Sequence, residues 1–157
     1  MSWIDVEPWA EPLYLDASAL VKLFVPESDS DALNAAMRGA KDVVLSDLAL
    51  TEMTSALGRR RREGALTADE AQRLYREAAK LATVCRRVEL TPPIHRRAER
   101  LLLALPRSLR TLDALHIASA IDAQAATVVT LDFRLRDAAS EQGLFVAPAS
   151  LVRPAGC

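Results

Sequence analysis

The sequence predicts an α/β fold: a three-layer α/β/α sandwich around a central, mainly parallel sheet. Three observations lead there. Short β-branched and aliphatic runs alternate along the chain with helical patterns, and strands joined through helices pair in parallel with both faces covered. The chain has 157 residues, 50% of them hydrophobic, which is enough for one domain with its own core. A net charge of −1 with that apolar content excludes a disordered chain, and no apolar run approaches the ~18 residues of a membrane span.

The elements follow in order. Residues 1–12, with Pro8 and Pro12, read as an arm before the first strand at 13–16. A helix at 18–25 is stopped by Pro26, and a second, at 28–37, is closed by Gly39. Residues 42–45 are β-like, and Ser46 or Asp47 caps a helix that runs to Arg62, with Gly64 as its stop. Thr67 and Glu70 form the capping box of a helix reaching to Ala82. A strand at 84–90 precedes a helix at 94–105, which Pro106 ends. Thr111 caps the next helix, whose Ala114, Ile117, Ala118 and Ile121 have helical spacing. A β-branched strand at 127–131, a helix at 133–142 bounded by Gly143, and a strand at 144–146 complete a single domain over 13–150, with a tail at 151–157.

Composition narrows the function. The two cysteines, Cys85 and Cys157, have no metal-ligand spacing and exclude a disulfide framework. The N-terminus carries acids where a secretory signal carries bases, so the expected location is the cytoplasm, with no membrane. Aromatic residues make up only 4%, which excludes a base-stacking platform.

The acids carry the chemistry. Asp16 and Asp132 end predicted strands, and ligand sites of parallel sheets lie outside those ends. Asp113 and Glu52 lie early in helices that start at the same end of the sheet. Each has an ordinary reading alone, as a turn residue, a helix-start acid or a solvated acid. Together they form a pocket of four carboxylates that needs protons or a cation. No histidine or cysteine cluster is available for zinc, and an all-oxygen set favours Mg²⁺ or Mn²⁺. That chemistry points to metal-dependent phosphodiester hydrolysis. An aspartyl-phosphate phosphatase is discounted, because the second aspartate it needs two residues after Asp16 is Ser18. A receiver domain needs a late lysine, and the lysines are Lys22, Lys41 and Lys80.

The sequences around the acids resemble a family. Leu15-Asp16-Ala17-Ser18-Ala19-Leu20-Val21-Lys22 resembles the opening motif of PIN-domain ribonucleases, in particular the VapC-type toxins of bacterial toxin–antitoxin pairs. Leu109-Arg110-Thr111-Leu112-Asp113-Ala114-Leu115-His116-Ile117-Ala118 is similar to the third acidic motif and is the most specific match. Val129-Thr130-Leu131-Asp132-Phe133-Arg134-Leu135 is similar to the fourth, and Leu50-Thr51-Glu52 with Ser55-Ala56-Leu57 to the second. Order and spacing fit over residues 13–146; the arm is a departure from toxins that begin almost at the first strand. The resemblance implies a PIN-like fold and a Mg²⁺- or Mn²⁺-dependent endoribonuclease. Its partners would be RNA substrate and a cognate antitoxin, and its products would carry 5′-phosphate and 3′-hydroxyl ends. Asp16, Glu52, Asp113 and Asp132 become the catalytic, metal-site acids. The alternative is a non-catalytic PIN-like module that acts through protein partner binding.

Several neighbours have two readings. Ser18 and Thr130 would hold a water of the site or an acid's second oxygen, while Ser18 equally well caps its helix. His116, three residues after Asp113 on the same face, supports the metal-site acids or is a satisfied core histidine. Arg59, seven residues after Glu52, faces the same way and is open to RNA phosphate, while the run 59–62 as a whole reads as a solvated helix end. Arg110 contacts RNA phosphate or pairs with a nearby acid. Leu48, Leu50, Met53, Leu57, Leu74 and Leu81 occupy more than one side of the helices from 47 to 82, so a homodimer or antitoxin face there stands beside core packing.

Overall fold

The computed structural model describes residues 8–104 and 109–149. Among them are five strands: β1 (Leu13–Leu15), β2 (Val43–Ser46), β3 (Arg86–Val88), β4 (Thr127–Val129) and β5 (Phe145–Ala147). They alternate with α1 (Ala17–Phe24), α2 (Ser30–Met37), α3 (Asp47–Arg62), α4 (Ala68–Val84), α5 (Pro92–Ala104), α6 (Thr111–Asp122) and α7 (Phe133–Glu141). Every strand pairing is parallel, in the order β3-β2-β1-β4-β5.

Side chains alternate across each strand, and that alternation makes the layers. Tyr14, Val44 and Val128 enter one core with Ile94, Ala98, Ile117 and Leu135 from α5, α6 and α7. Their neighbours Leu13, Leu15, Leu45 and Val129 enter the other, with Leu20, Leu33, Met53 and Leu74 from α1 to α4. The predicted three-layer sandwich is therefore present. Leu48, Met53, Leu57 and Leu74 are buried in these cores, and Leu50 and Leu81 pack against one of them, so all six serve the monomer's own packing. No helix among the described residues is long and apolar enough to cross a membrane.

Several element boundaries differ from expectation, each for a physical reason. Helix α1 starts at Ala17 because Asp16, not Ser18, caps it, with Oδ1 accepting from Ala19 N–H at 2.9 Å. At α6 the N-cap position belongs to Arg110 rather than Thr111, and Asp113 Oδ2 accepts the Arg110 N–H at 3.3 Å. The Thr67–Glu70 capping box forms as predicted. Helix α4 then continues to Val84, which is 80% exposed and gains nothing from a place in the sheet, so the strand there shrinks to β3. Gly39, Gly64 and Gly143, expected as helix stops, adopt φ of +89°, +77° and +76°, which suits a residue without Cβ.

The near half of the arm is tied down. Pro12 O accepts from Ala126 and Thr127 N–H, Thr127 Oγ1 donates to Ala10 O at 2.8 Å, and the Glu11 carboxylate accepts from Lys41 and Asp42 N–H. The rest of the arm (1–7), the expected helix end at Leu105 and Pro106, and the tail 151–157 with Cys157 lie outside the described residues.

Candidate active site

Strand order creates the site. From β1 the chain builds outward to β2 and β3 on one side and to β4 and β5 on the other. The segments that leave β1 and β4 therefore diverge, and a crevice opens outside their C-terminal ends. Asp16 directly follows β1, and Thr130 and Asp132 follow β4.

Hydroxyls stitch the two segments together. Thr130 Oγ1 donates to Asp16 Oδ2 at 2.6 Å. Ser18 Oγ lies 2.7 and 2.8 Å from the two Asp16 oxygens and accepts from Leu131 N–H at 2.9 Å. Ser18 and Thr130 thus hold an acid's oxygens, one of the two readings the sequence left open, and Ser18 is not the helix cap. Asp16 is buried. Burial pushes its carboxyl above the usual range, against the opposing effects of His116 and of the bonds from Thr130, Ala19 and Ser18.

The other acids are anchored singly. Asp132 caps α7, with Oδ1 accepting from Arg134 N–H at 2.8 Å and Leu135 N–H at 3.2 Å. Asp113, also buried, accepts from Arg110 N–H through Oδ2. Burial first and the charge of Asp132 second push the Asp113 carboxyl up, opposed by the Arg110 bond and by the charges of Arg110 and Arg134. Glu52, from α3, lies with Oε2 2.5 Å from His116 Nε2, and His116 Nδ1 lies 2.8 Å from the Tyr14 hydroxyl. Arg110 thus meets Asp113 through its backbone N–H and its charge.

Glu52, Asp132 and Ser18 line a cleft of about 480 Å³ together with Lys22, Glu27, Arg59 and Arg60. Asp16 and Asp113 are not among its lining residues. Arg59 faces the same cleft as Glu52, as its spacing predicted. Arg60 departs from the solvated face expected of its run: Glu27 accepts from it and from Lys22 Nζ, the latter at 3.0 Å. Sequence reasoning missed Glu27 because its partners come from α1 and α3, and missed Tyr14 although a tyrosine in a buried strand needs a polar partner.

Among the described residues, no group of three or more histidine, cysteine, aspartate or glutamate side chains is gathered closely enough to hold a metal ion. The donor chemistry nevertheless fits a hard cation. Mg²⁺ is commonly held by one or two carboxylates, with water and substrate phosphate completing its shell. Glu52, Asp113 and Asp132 each make their described hydrogen bonds through a single carboxylate oxygen. The mutual charge that raises Asp113 beside Asp132 is the kind a cation offsets.

Residues 13–141 match the PIN domain family. The chain is 36% identical over 141 residues to Ribonuclease VapC45 of Mycobacterium tuberculosis (strain CDC 1551 / Oshkosh), across 88% of this chain and 96% of that one. The chain belongs to the PIN-domain family, among the VapC ribonucleases. Its fold is that of the crystal structure of M. tuberculosis VapC20, a sarcin-ricin loop cleaving toxin, with TM-score 0.66, 21% identity and coverage of 90% and 99% of the two chains. It is also that of a toxin–antitoxin complex from Klebsiella pneumoniae, with TM-score 0.58, 13% identity and coverage of 79% and 89%. In this PIN domain Asp16, Glu52, Asp113 and Asp132 come from four separate segments, after β1, on α3, on α6 and after β4.

Proposed function

We propose that this PIN domain is an endoribonuclease, the toxin of a toxin–antitoxin pair, that hydrolyses RNA phosphodiesters in the cytoplasm with Mg²⁺ or Mn²⁺. One observation carries the reading: Glu52 and Asp132 line one cleft with Lys22, Arg59 and Arg60, while Asp113 feels the charge of Asp132 and Asp16 is tied to Thr130 beside it. The relatives' name, ribonuclease, supports RNA as substrate. Asp16, Glu52, Asp113 and Asp132 would hold the cation, which when bound acts as a Lewis acid on the phosphodiester. Ser18 and Thr130 fix the Asp16 carboxylate, Arg59 meets substrate phosphate, and Arg110 favours the charged form of Asp113. The Klebsiella complex of the same fold supports an antitoxin as protein partner. A second copy of the chain is a further proposed partner, which sedimentation showing only monomer at about 10–50 µM removes.

The test is cleavage of total RNA with Mg²⁺, with Mn²⁺ and with chelator, for the parent and for Asp113→Asn. Metal-dependent cleavage leaving 5′-phosphate ends, lost in the variant, is expected. Expression without antitoxin should arrest bacterial growth, and the same variant should relieve the arrest. Products ending in 2′,3′-cyclic phosphate would count against this chemistry. Intact RNA under every condition, together with tight antitoxin binding, would favour the non-catalytic module.

A further inference from the structure

Three of the four acids are anchored by backbone: Asp16 by Ala19 N–H, Asp113 by Arg110 N–H, and Asp132 by Arg134 and Leu135 N–H. Glu52 is different. Its side chain is longer, and its described anchor is another side chain, His116. His116 is itself held at the far end of its ring. Tyr14, fully buried on β1, places its hydroxyl 2.8 Å from Nδ1, and the two rings meet edge to face with centroids 5.8 Å apart. Ser46 Oγ and Ser119 Oγ, both buried, lie beside the same phenol without reaching hydrogen-bond geometry. A hydrogen-bonded line thus runs from the α5–α7 core, through β1 and α6, to a carboxylate on α3.

The direction of the line follows from its ends. Burial holds the Tyr14 phenol well above its usual pKa, so it keeps its proton and serves as a donor. A carboxylate oxygen only accepts. The nitrogen that faces Glu52 is therefore the donor, Nε2–H, and Nδ1 is left to the Tyr14 hydroxyl. We propose that Tyr14 and His116 are positioning residues for the metal centre: Tyr14 selects the His116 tautomer, and the Nε2–H holds Glu52 Oε2, leaving Oε1 preset for the cation. The proposal rests on the metal-centre reading of the crevice. Its physical content is preorganisation. A free glutamate loses side-chain freedom when it ligates, whereas one already held by His116 has lost it in advance. Residues that orient metal ligands through hydrogen bonds act on metal affinity as well as on folding.

Mn²⁺ titration calorimetry on the full chain without RNA tests this with parent, His116→Gln, His116→Asn and Tyr14→Phe. Glutamine places an amide N–H near the lost Nε2–H and keeps the donor to Glu52, whereas asparagine reaches only the Nδ1 side. His116→Asn should weaken Mn²⁺ binding by about 10-fold or more, and His116→Gln by less than about 3-fold. Tyr14→Phe should fall between them, because the phenol selects the tautomer without touching Glu52. A packing role for His116 would alter melting temperature and leave the affinity of the folded protein unchanged. Parental affinity in His116→Asn, or equal losses in the glutamine and asparagine variants, overturns the proposal. If His116→Asn does not fold, Tyr14→Phe decides, and parental affinity in that variant overturns it. Absence of Mn²⁺ binding by the parent overturns the metal-centre reading itself, and the positioning proposal with it.

Discussion

Asp16 and Asp113 bring the same charge to the same crevice, yet their surroundings predict opposite responses to neutralisation. Both Asp16 oxygens are occupied, by Ala19 N–H and Ser18 on one and by Thr130 and Ser18 on the other. Asparagine would turn an N–H₂ toward hydroxyls that now donate, and Thr130 Oγ1 already accepts from Asp132 N–H. Asp16→Asn should therefore destabilise the metal-free protein by about 1–3 kcal/mol, although the burial that raises its carboxyl would alone predict a gain. Asp113 accepts from Arg110 N–H, which an amide oxygen serves equally well. Its folded carboxyl lies above its unfolded value, raised by burial and then by Asp132. Its ionised form thus opposes folding at neutral pH, and that opposition fades as pH falls through the folded pKa. Asp113→Asn should hold or raise the metal-free melting temperature at pH 7.5, and the difference should vanish below the unfolded aspartate value of about 4. Melts of both variants at pH 7.5 and pH 3.5 check this; a lower melting point for Asp113→Asn at pH 7.5 would contradict the raised carboxyl.

Elements meet at the cleft through Glu27, which sits between α1 and α2 and accepts from Lys22 of α1 and Arg60 of α3. Partial burial pushes its carboxyl up, but hydrogen bonds from Lys22 and Arg60 and their charges prevail and hold it below the usual range. A lowered folded pKa contributes stability above the unfolded value, and that contribution is lost as pH falls through the folded one. With 35% of its side chain exposed, the link is screened, and Glu27→Gln should cost less than ~1 kcal/mol. It should also release Lys22 and Arg60 for phosphate. In an Asp113→Asn background that does not cleave, Glu27→Gln should tighten RNA binding at low salt and steepen its salt dependence. Fluorescence anisotropy measures this, and an unchanged RNA affinity would mean that these bases do not face substrate. Such links were hidden from the sequence for the reason that hid the Tyr14–His116–Glu52 line: its members are separated by 102 and 64 residues, and no local pattern encodes their meeting. What was legible was local. The β-branched run of β4 and the Thr67 capping box placed their elements, and Glu52 and Arg59, seven residues apart on one helix, do share a cleft. Caps that depend on Asp16 and Arg110 shifted the starts of α1 and α6 by about one residue.

Across the whole molecule, the two cores lie on opposite faces of the sheet, and the crevice opens beyond the C-terminal ends of its inner strands β1 and β4. A cation there would bind the native state alone, because unfolding scatters acids that lie up to a hundred residues and more apart in sequence. Such binding stabilises by about 2.7 kcal/mol when Mg²⁺ is near 100 times its dissociation constant. The parent should therefore melt higher in Mg²⁺, and Asp16→Asn, Glu52→Gln, Asp113→Asn and Asp132→Asn should each shrink that rise, whatever they do to the metal-free melting point. Asp47→Asn is the control: Asp47 begins α3 only five residues before Glu52, but its carboxylate pairs with Arg87 at 2.6 Å on the exposed surface. Losing that pair should cost less than ~1 kcal/mol and leave the Mg²⁺ increment intact. Because each variant is compared with itself with and without metal, damage to packing cancels and only the response to the cation remains. If Asp47→Asn abolishes the increment while Glu52→Gln keeps it, the acid that α3 contributes to the centre is Asp47, and the cleft with Arg59 and Arg60 is not where the metal binds.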